Sequence, residues 1–325
     1  MSGADQTLRG DALIGCTGFV GTSLLRDAAF AATYHSRNID EARGRSFRRV
    51  VCAAAPATMW LANQDPAADR ANILRLIDVL GTIRAEEFVL VSTIAVLDDA
   101  AAGYTEAMAR YEADKPYGRH RRELERFVEG HFARAHVLRL PALFGPGLKK
   151  NFLFDLLNPA PSFIKADRFA ALAGEMPATA RELVARFYAL DDKLGMWALD
   201  RARLDVSAER LAVEAAFGAI GFTAPMFTNS ASTFQYYGLH RLAADIDRVV
   251  GAGLPLVHVC SAPLAAGFLS RALTGHDFVN AAAPLWHEDM RSDHAALFGS
   301  AGPYLYDEAS VLADLGAFFA AERAG

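Results

Sequence analysis

Short apolar runs alternate with amphipathic stretches over the first half of the chain. Residues 12–14 are wholly apolar and stop at Gly15; similar runs occupy residues 31–35, 49–55, 88–93 and 136–140. Runs of this length bounded by turn residues read as buried strands. Between residues 65 and 80, Ala68, Ile73, Leu76, Ile77 and Leu80 recur at helical spacing. A second helix opens near Asp114 and Pro116, a cap and a first-turn proline, and runs to about His131. The alternation predicts a parallel sheet covered on both faces. Only residues 39–48 separate the second and third strands, so one strand and crossover common in such folds is expected to be missing.

The period then changes. Residues 151–222 are alanine-rich and read as helical, with helices over 178–190 and 207–217 and few strand candidates. A strand returns at 254–259, followed by helices near 264–273 and 308–321.

Composition narrows the classes. The 325 residues are 52% hydrophobic and 22% charged, with net charge −5, which argues against disorder and against a general nucleic-acid footprint. Cys16, Cys52 and Cys260 form no CxxC pair and read as small buried residues of a reducing compartment. Residues 1–10 carry no apolar leader core, and no run reaches the roughly 18 residues of a membrane span, so a cytoplasmic protein without membrane association is expected. Only five of the 33 basic residues are lysine, so arginine is the favoured cation.

Two motifs carry chemistry. Gly15-Cys16-Thr17-Gly18-Phe19-Val20-Gly21 lies where the first strand becomes a helix. Gly15 would make the tight turn, Gly18 would let backbone approach a pyrophosphate, and Gly21 would allow close helix packing, with the helix N-terminus attracting the anion. The second is Tyr117-Gly118-Arg119-His120-Arg121. Four residues make one helical turn, so Arg121 shares a face with Tyr117 and is expected to favour its phenolate. His287, His294, Asp289 and Asp293 have no metal-ligand spacing and read as a polar loop, so no metal is expected.

With these residues, the chain resembles the extended short-chain dehydrogenase/reductase family, which holds nucleotide-sugar epimerases, dehydratases and 4-ketoreductases. The likeness covers roughly residues 12–147 and, more weakly, 227–259. Gly15, Gly18 and Gly21 match the family's cofactor turn, although Ile14 stands where Thr is common. Ala53, Ala54 and Ala55 with Pro56 resemble the segment closing over the cofactor, and Asn72, taken as a helix start, matches an Asn near the active site. Ser92-Thr93-Ile94-Ala95-Val96 matches the ST-x-x-V strand end, with Thr93 at the catalytic hydroxyl position. Tyr117 matches the catalytic tyrosine, and residues 139–141 followed by 144–147 resemble the strand and loop beside the nicotinamide, bringing in Pro141. The departure is Arg121, since the family pattern is YxxxK. Arg is a planar fork where Lys is a compact point charge, so charge survives the change while the bond to a cofactor ribose is put in question.

The resemblance implies an α/β, Rossmann-like doubly wound parallel sheet with a smaller, mostly helical substrate domain. Residues 1–147, rejoined by about 236–262, would bind the dinucleotide; 148–235 and 263–325 would bind substrate. The catalytic set would be Thr93, Tyr117 and Arg121. The cofactor would meet Gly15, Thr17, Gly18, Phe19, Val20, Gly21, Ser36, Arg37, Asn38, Ala53, Ala54, Ala55, Asn72, Tyr117, Arg121 and Pro141. Arg37, with no acid beside it, favours NADP over NAD, although NAD is possible. The activity implied is an NAD(P)-dependent oxidoreductase or epimerase acting on a carbonyl or secondary alcohol of a small polar metabolite, such as a sugar derivative. The alternative is a non-catalytic dinucleotide-binding sensor or scaffold. At Phe234-Gln235-Tyr236-Tyr237, where relatives often carry an Arg for a nucleotide diphosphate, none stands, which weakens a sugar-nucleotide substrate. A homodimer is expected through helices at 72–80 and 117–131, with Leu124 and Phe127 on exposed faces.

Overall fold

A computed structural model describes residues 10–192 and 194–324. Residues 1–9, on which the expectation about a leader rests, lie outside the described residues. Among the described residues, no helix is long and apolar enough to cross a membrane.

Five strands, β1 (Asp11–Ile14), β2 (Ala32–Tyr34), β3 (Ser46–Cys52), β4 (Arg84–Thr93) and β5 (Ala135–Leu140), join Leu256–His258 in one sheet. Its order is Leu256–His258, β5, β4, β3, β1, β2, and every pairing is parallel. Strand periodicity sends alternate residues to opposite faces. Leu13, Val51, Val89 and Leu138 enter one core with Leu24 of α1 (Phe19–Asp27) and Ile246 of the helix Leu242–Gly251. Ala12, Ile14, Val50, Leu90 and Val137 enter the other with Ile73 and Leu76 of α3 (Pro66–Leu80) and Leu124 and Val128 of α4 (Pro116–His131). Each fully buried Leu, Ile or Val on these faces contributes about 2 kcal/mol of transfer free energy.

β1 pairs with β2 on one side and β3 on the other, so the chain reverses its direction of winding at the carboxyl end of β1. Ligands of open α/β sheets bind at such a reversal. Between β2 and β3 there is only a 3-10 turn, Ile39–Ala42, which agrees with the missing strand and crossover.

The helices start as their sequences dictate, with one change. Asp65 caps α3, its carboxylate accepting the Ala68 N–H at 3.0 Å. For α4 the cap is not Asp114. Buried Glu112 instead accepts the N–H groups of Asp114 and Lys115 at 2.8 and 3.0 Å.

By its internal packing the chain divides into two compact units: the chain up to Leu148 with Thr233–Leu264 and His287–Phe318, and Lys149–Ser232 with Ala265–Trp286 and the chain from Phe319. His287–Phe318, expected with the substrate domain, falls in the first unit because its backbone is bonded there. Asp289 N–H donates to Ala100 at 2.7 Å, Arg291 N–H to Tyr104 at 2.9 Å and Leu305 N–H to Cys260 at 3.0 Å. The second unit corrects the expectation of few strands. Phe163–Lys165, Met196–Leu199 and Tyr188–Asp191 form an antiparallel sheet in that order. The helix expected over 178–190 is Ala178–Ala185 only, and Tyr188 turns into the core against Phe169 and Phe217. Strands of three or four residues are too short for their alternation to stand out in alanine-rich sequence.

Candidate active site

The glycine turn is built by close approach. Gly15 has φ +94°, and a Cβ there would meet the Ala53 carbonyl oxygen at 2.5 Å. A Cβ at Gly21 would collide with the Gly15 carbonyl. Only glycine allows α1 to begin this tightly against the ends of β1 and β3. Gly18 is the N-cap, and Phe19, Val20 and Gly21 form the first turn, whose N–H groups have no intrahelical acceptor. Thr17 and Gly18 are exposed, Ala53, Ala54 and Ala55 are half-buried, and all lie at the same carboxyl edge.

At the end of β2, Ser36 and Arg37 are exposed, and the Arg37 guanidinium has no partner among the described residues. Asn38 is committed to its own turn: its Oδ1 accepts the His35 N–H at 2.7 Å and its Nδ2 donates to the Thr33 carbonyl.

Tyr117 and Thr93 are brought together by α4 pressing on the end of β4. A Cβ at Gly118 would collide with the Ala95 carbonyl, so this glycine sets how closely the helix approaches. The Tyr117 N–H donates to Asn63 Oδ1 of α2 (Met59–Gln64) at 3.0 Å. Thr93 Oγ1 accepts the Ala95 N–H at 3.2 Å and also faces the Tyr117 hydroxyl.

Arg121 does not stand free beside Tyr117. Its Nη1 and Nη2 donate to the two oxygens of Asp69 at 2.5 and 2.8 Å, and Nη2 also donates to the Pro56 carbonyl at 2.5 Å. The guanidinium carbon lies 3.9 Å from the Tyr117 ring centroid. His120 Nδ1 approaches the same Asp69 carboxylate at 2.7 Å. Asp69, His120 and Arg121 are all buried. Burial acts to raise the Asp69 carboxyl, but hydrogen bonds from Arg121 and His120 hold it below the usual carboxylate range. For Tyr117 the outcome is the reverse. Burial pushes the phenol above its ordinary 10, the Arg121 cation pulls it down, and the Asp69 charge pushes it up again, so the net direction is upward. The expectation that Arg121 favours the phenolate therefore describes one contribution among several, and burial outweighs it.

Asn72 is a second correction. α3 begins at Pro66, so Asn72 is not at a helix start; it lies in mid-helix on the exposed side, away from the buried stripe of Asp69, Ile73, Leu76, Val79 and Leu80. The asparagine that reaches α4 is Asn63. Asp69 could have been found, since an acid on the apolar stripe of a helix demands a buried partner. Leu124, expected on an exposed face, is fully packed in the core, and Phe127 is half-buried.

Beneath the site runs a polar row. Strand register sets Ser92 beside Arg139 and Arg139 beside His258. Glu125 of α4 binds Arg139 at 3.0 and 2.7 Å and accepts from Ser92 Oγ at 2.5 Å. Arg139 Nη1 lies 3.1 Å from His258 Nε2. Pro141 is buried just after β5. Gln235 is wholly buried, bonded to Ser261 and Met290, and Tyr236 and Tyr237 are core. Asp289 is held by Arg291 and Tyr304 at 2.6 and 2.7 Å, and His287 Nδ1 lies 2.9 Å from Thr233 Oγ1.

No family model and no curated protein matches the sequence. Solved structures do match. RMD from Pseudomonas aeruginosa complexed with NADPH is 16% identical, with TM-score 0.58 over 97% of this chain and 99% of that one. A dTDP-4-dehydrorhamnose reductase from Clostridium acetobutylicum is 13% identical, with TM-score 0.58 over 96% and 99%. The UDP-N-acetylglucosamine 4-epimerase from Methanobrevibacter ruminantium, in complex with UDP-N-acetylmuramic acid, is 12% identical, with TM-score 0.57 over 97% and 98%. The chain has the Rossmann-like α/β fold that these structures share.

Proposed function

We propose that the chain is an NADP(H)-dependent oxidoreductase acting on a carbonyl or secondary alcohol of a sugar derivative. The observation that carries this reading is the buried Tyr117 beside Thr93, at the same sheet edge as a turn where Gly15 and Gly21 leave no room for a side chain. The residues fit a dinucleotide: the cradle would take its pyrophosphate at the start of α1, and the unpartnered Arg37 would face a 2'-phosphate. The fold shared with NADPH-bound RMD supports NADP as the cofactor.

When bound, a nicotinamide supplies or accepts hydride. Tyr117 holds the proton at its hydroxyl and gives it to the substrate oxygen, as a neutral phenol can, and Thr93 hydrogen-bonds the same oxygen. Arg121 fixes the ring. The commitment of Arg121 to Asp69 favours a second reading, a cofactor-bound sensor, because the site then lacks a cation free to reach a ribose. The test is incubation with NADPH deuterated at both nicotinamide C4 positions and a panel of keto sugars, free and nucleotide-linked. Deuterium in the product supports the oxidoreductase; bound cofactor without transfer on any member supports the sensor.

For assembly, the reading includes a homodimer through α3 and α4. Leu124 is spent in the core, so the face on offer is Arg70, Ala71 and the 42% exposed Leu74, with Phe127 at its margin.

A further inference from the structure

Both terminal nitrogens of the Arg121 fork are engaged from within the chain. Nη1 serves Asp69 and the Tyr117 carbonyl at 3.3 Å, and Nη2 serves Asp69 and the Pro56 carbonyl. The remaining Nε is buried without a partner. A cation meant to reach out to a ligand would leave an outward donor free. This one is turned inward, with its flat face on the tyrosine ring and both ends gripped by a carboxylate from α3. His120, one residue before it on α4, grips the same carboxylate.

We infer that Asp69 is a positioning residue, which clamps the Arg121 fork against the Tyr117 ring and the Pro56 carbonyl, so that the arginine stiffens the proton carrier instead of binding cofactor. The inference rests on the reading of Tyr117 as proton carrier. Its physical basis is that a guanidinium can satisfy a bidentate carboxylate, a carbonyl and a ring face at once, whereas an ammonium cannot. The clamp links three elements, α3, α4 and the segment after β3, at the tyrosine. It also implies that restoring the family's lysine alone does not restore the family's site, because a lysine at 121 would be captured by Asp69.

The charged groups at Tyr117 are Arg121 from α4 and Asp69 from α3; His120 is joined to Asp69, and Glu112 with its partner Lys115 lies against Gly118 at the start of α4. Of these, Arg121 and Asp69 act on the phenol directly.

The test follows the ionisation of Tyr117 in the full chain, isotope-labelled at the tyrosine ζ carbon, with its resonance assigned by loss in Tyr117→Phe. In Asp69→Asn the amide oxygen and Pro56 still hold the cation while the acid is gone, so the titration midpoint falls by about one pH unit. In Arg121→Lys the ammonium is drawn to Asp69 and off the ring, so the midpoint rises. An unchanged or higher midpoint in Asp69→Asn, or an unchanged or lower one in Arg121→Lys, would overturn the clamp. If Asp69→Asn does not fold, Arg121→Lys decides alone. NADPH affinity gives a second arm: Arg121→Lys by itself gains nothing, and adding Asp69→Asn tightens binding, because a neutral amide that can hold the planar fork has no charge to hold a compact ammonium. Tighter NADPH binding in Arg121→Lys alone would show that Asp69 does not capture the cation and would also overturn the clamp. The titration needs no cofactor or substrate, so failure of the protein to bind NADPH would count against the proposed function and leave this readout standing.

Discussion

Arg139 and Glu125 meet in an ion pair at 3.0 and 2.7 Å with neither side chain exposed to solvent. The pair bolts α4 to the middle of the sheet, two turns below Tyr117. Removing Glu125 strands Arg139 as a buried charge, whereas removing Arg139 leaves Glu125 paired with Arg122 at 2.8 Å. Glu125→Leu is expected to cost about 3–5 kcal/mol, Arg139→Met less, and the double replacement less than their sum. Urea unfolding of the three variants checks this, and additive losses would show that the two charges do not compensate each other.

Gly118→Ala is expected to reduce turnover more than stability. The added Cβ meets backbone at Ala95, which cannot rotate away, so α4 must shift off the end of β4 and separate Tyr117 from Thr93. Overpacking of this kind costs about 1–3 kcal/mol. Thermal unfolding and steady-state rates measured together distinguish this from simple destabilisation, in which both readouts would fall together.

Arg37→Asp is expected to erase the preference for NADPH over NADH, by about tenfold or more, because an acid at the end of β2 repels a 2'-phosphate and accepts from a 2'-hydroxyl. Fluorescence titration with both cofactors reads this directly. Equal affinities in the unaltered protein would remove Arg37 from the site.

Stability should depend on Tyr117 at alkaline pH. Its folded-state pKa is raised, above all by burial, so the folded chain favours the neutral phenol. The unfolded chain ionises first, near pH 10, and stability falls as pH rises from there through the higher folded value. Tyr117→Phe should flatten that part of the unfolding-versus-pH curve. An unchanged slope would mean that the phenol is solvated in the folded state.

Much of the first unit was legible because its strands are continuous apolar runs and its helices carry caps and periodic stripes. Ala12, Leu13 and Ile14 announce a strand buried on both faces, and Gly15, Gly18 and Gly21 announce the tight turn into a helix. The partners of the site residues were less legible. Arg121 at one turn from Tyr117 reads as a cation for the phenol, and only the fold brings Asp69, more than fifty residues away, to claim it. Asn63 precedes α3 and Asn72 lies within it, and nothing local says which one faces α4. Leu124 illustrates a different limit: on an amphipathic helix packed against a sheet, an apolar residue reads equally as core or as interface. In the second unit, strands of three and four residues leave too little pattern to separate them from helix.

The role of Tyr117 as proton carrier for an NADPH-dependent reaction at this sheet edge is decided by measuring NADPH binding and NADPH consumption with keto sugars, for the unaltered protein and for Tyr117→Phe side by side. The expected result is saturable NADPH binding by both proteins, with consumption by Tyr117→Phe lower by about a hundredfold or more, since only the proton donor has been removed. Consumption by Tyr117→Phe at the unaltered rate would contradict that role.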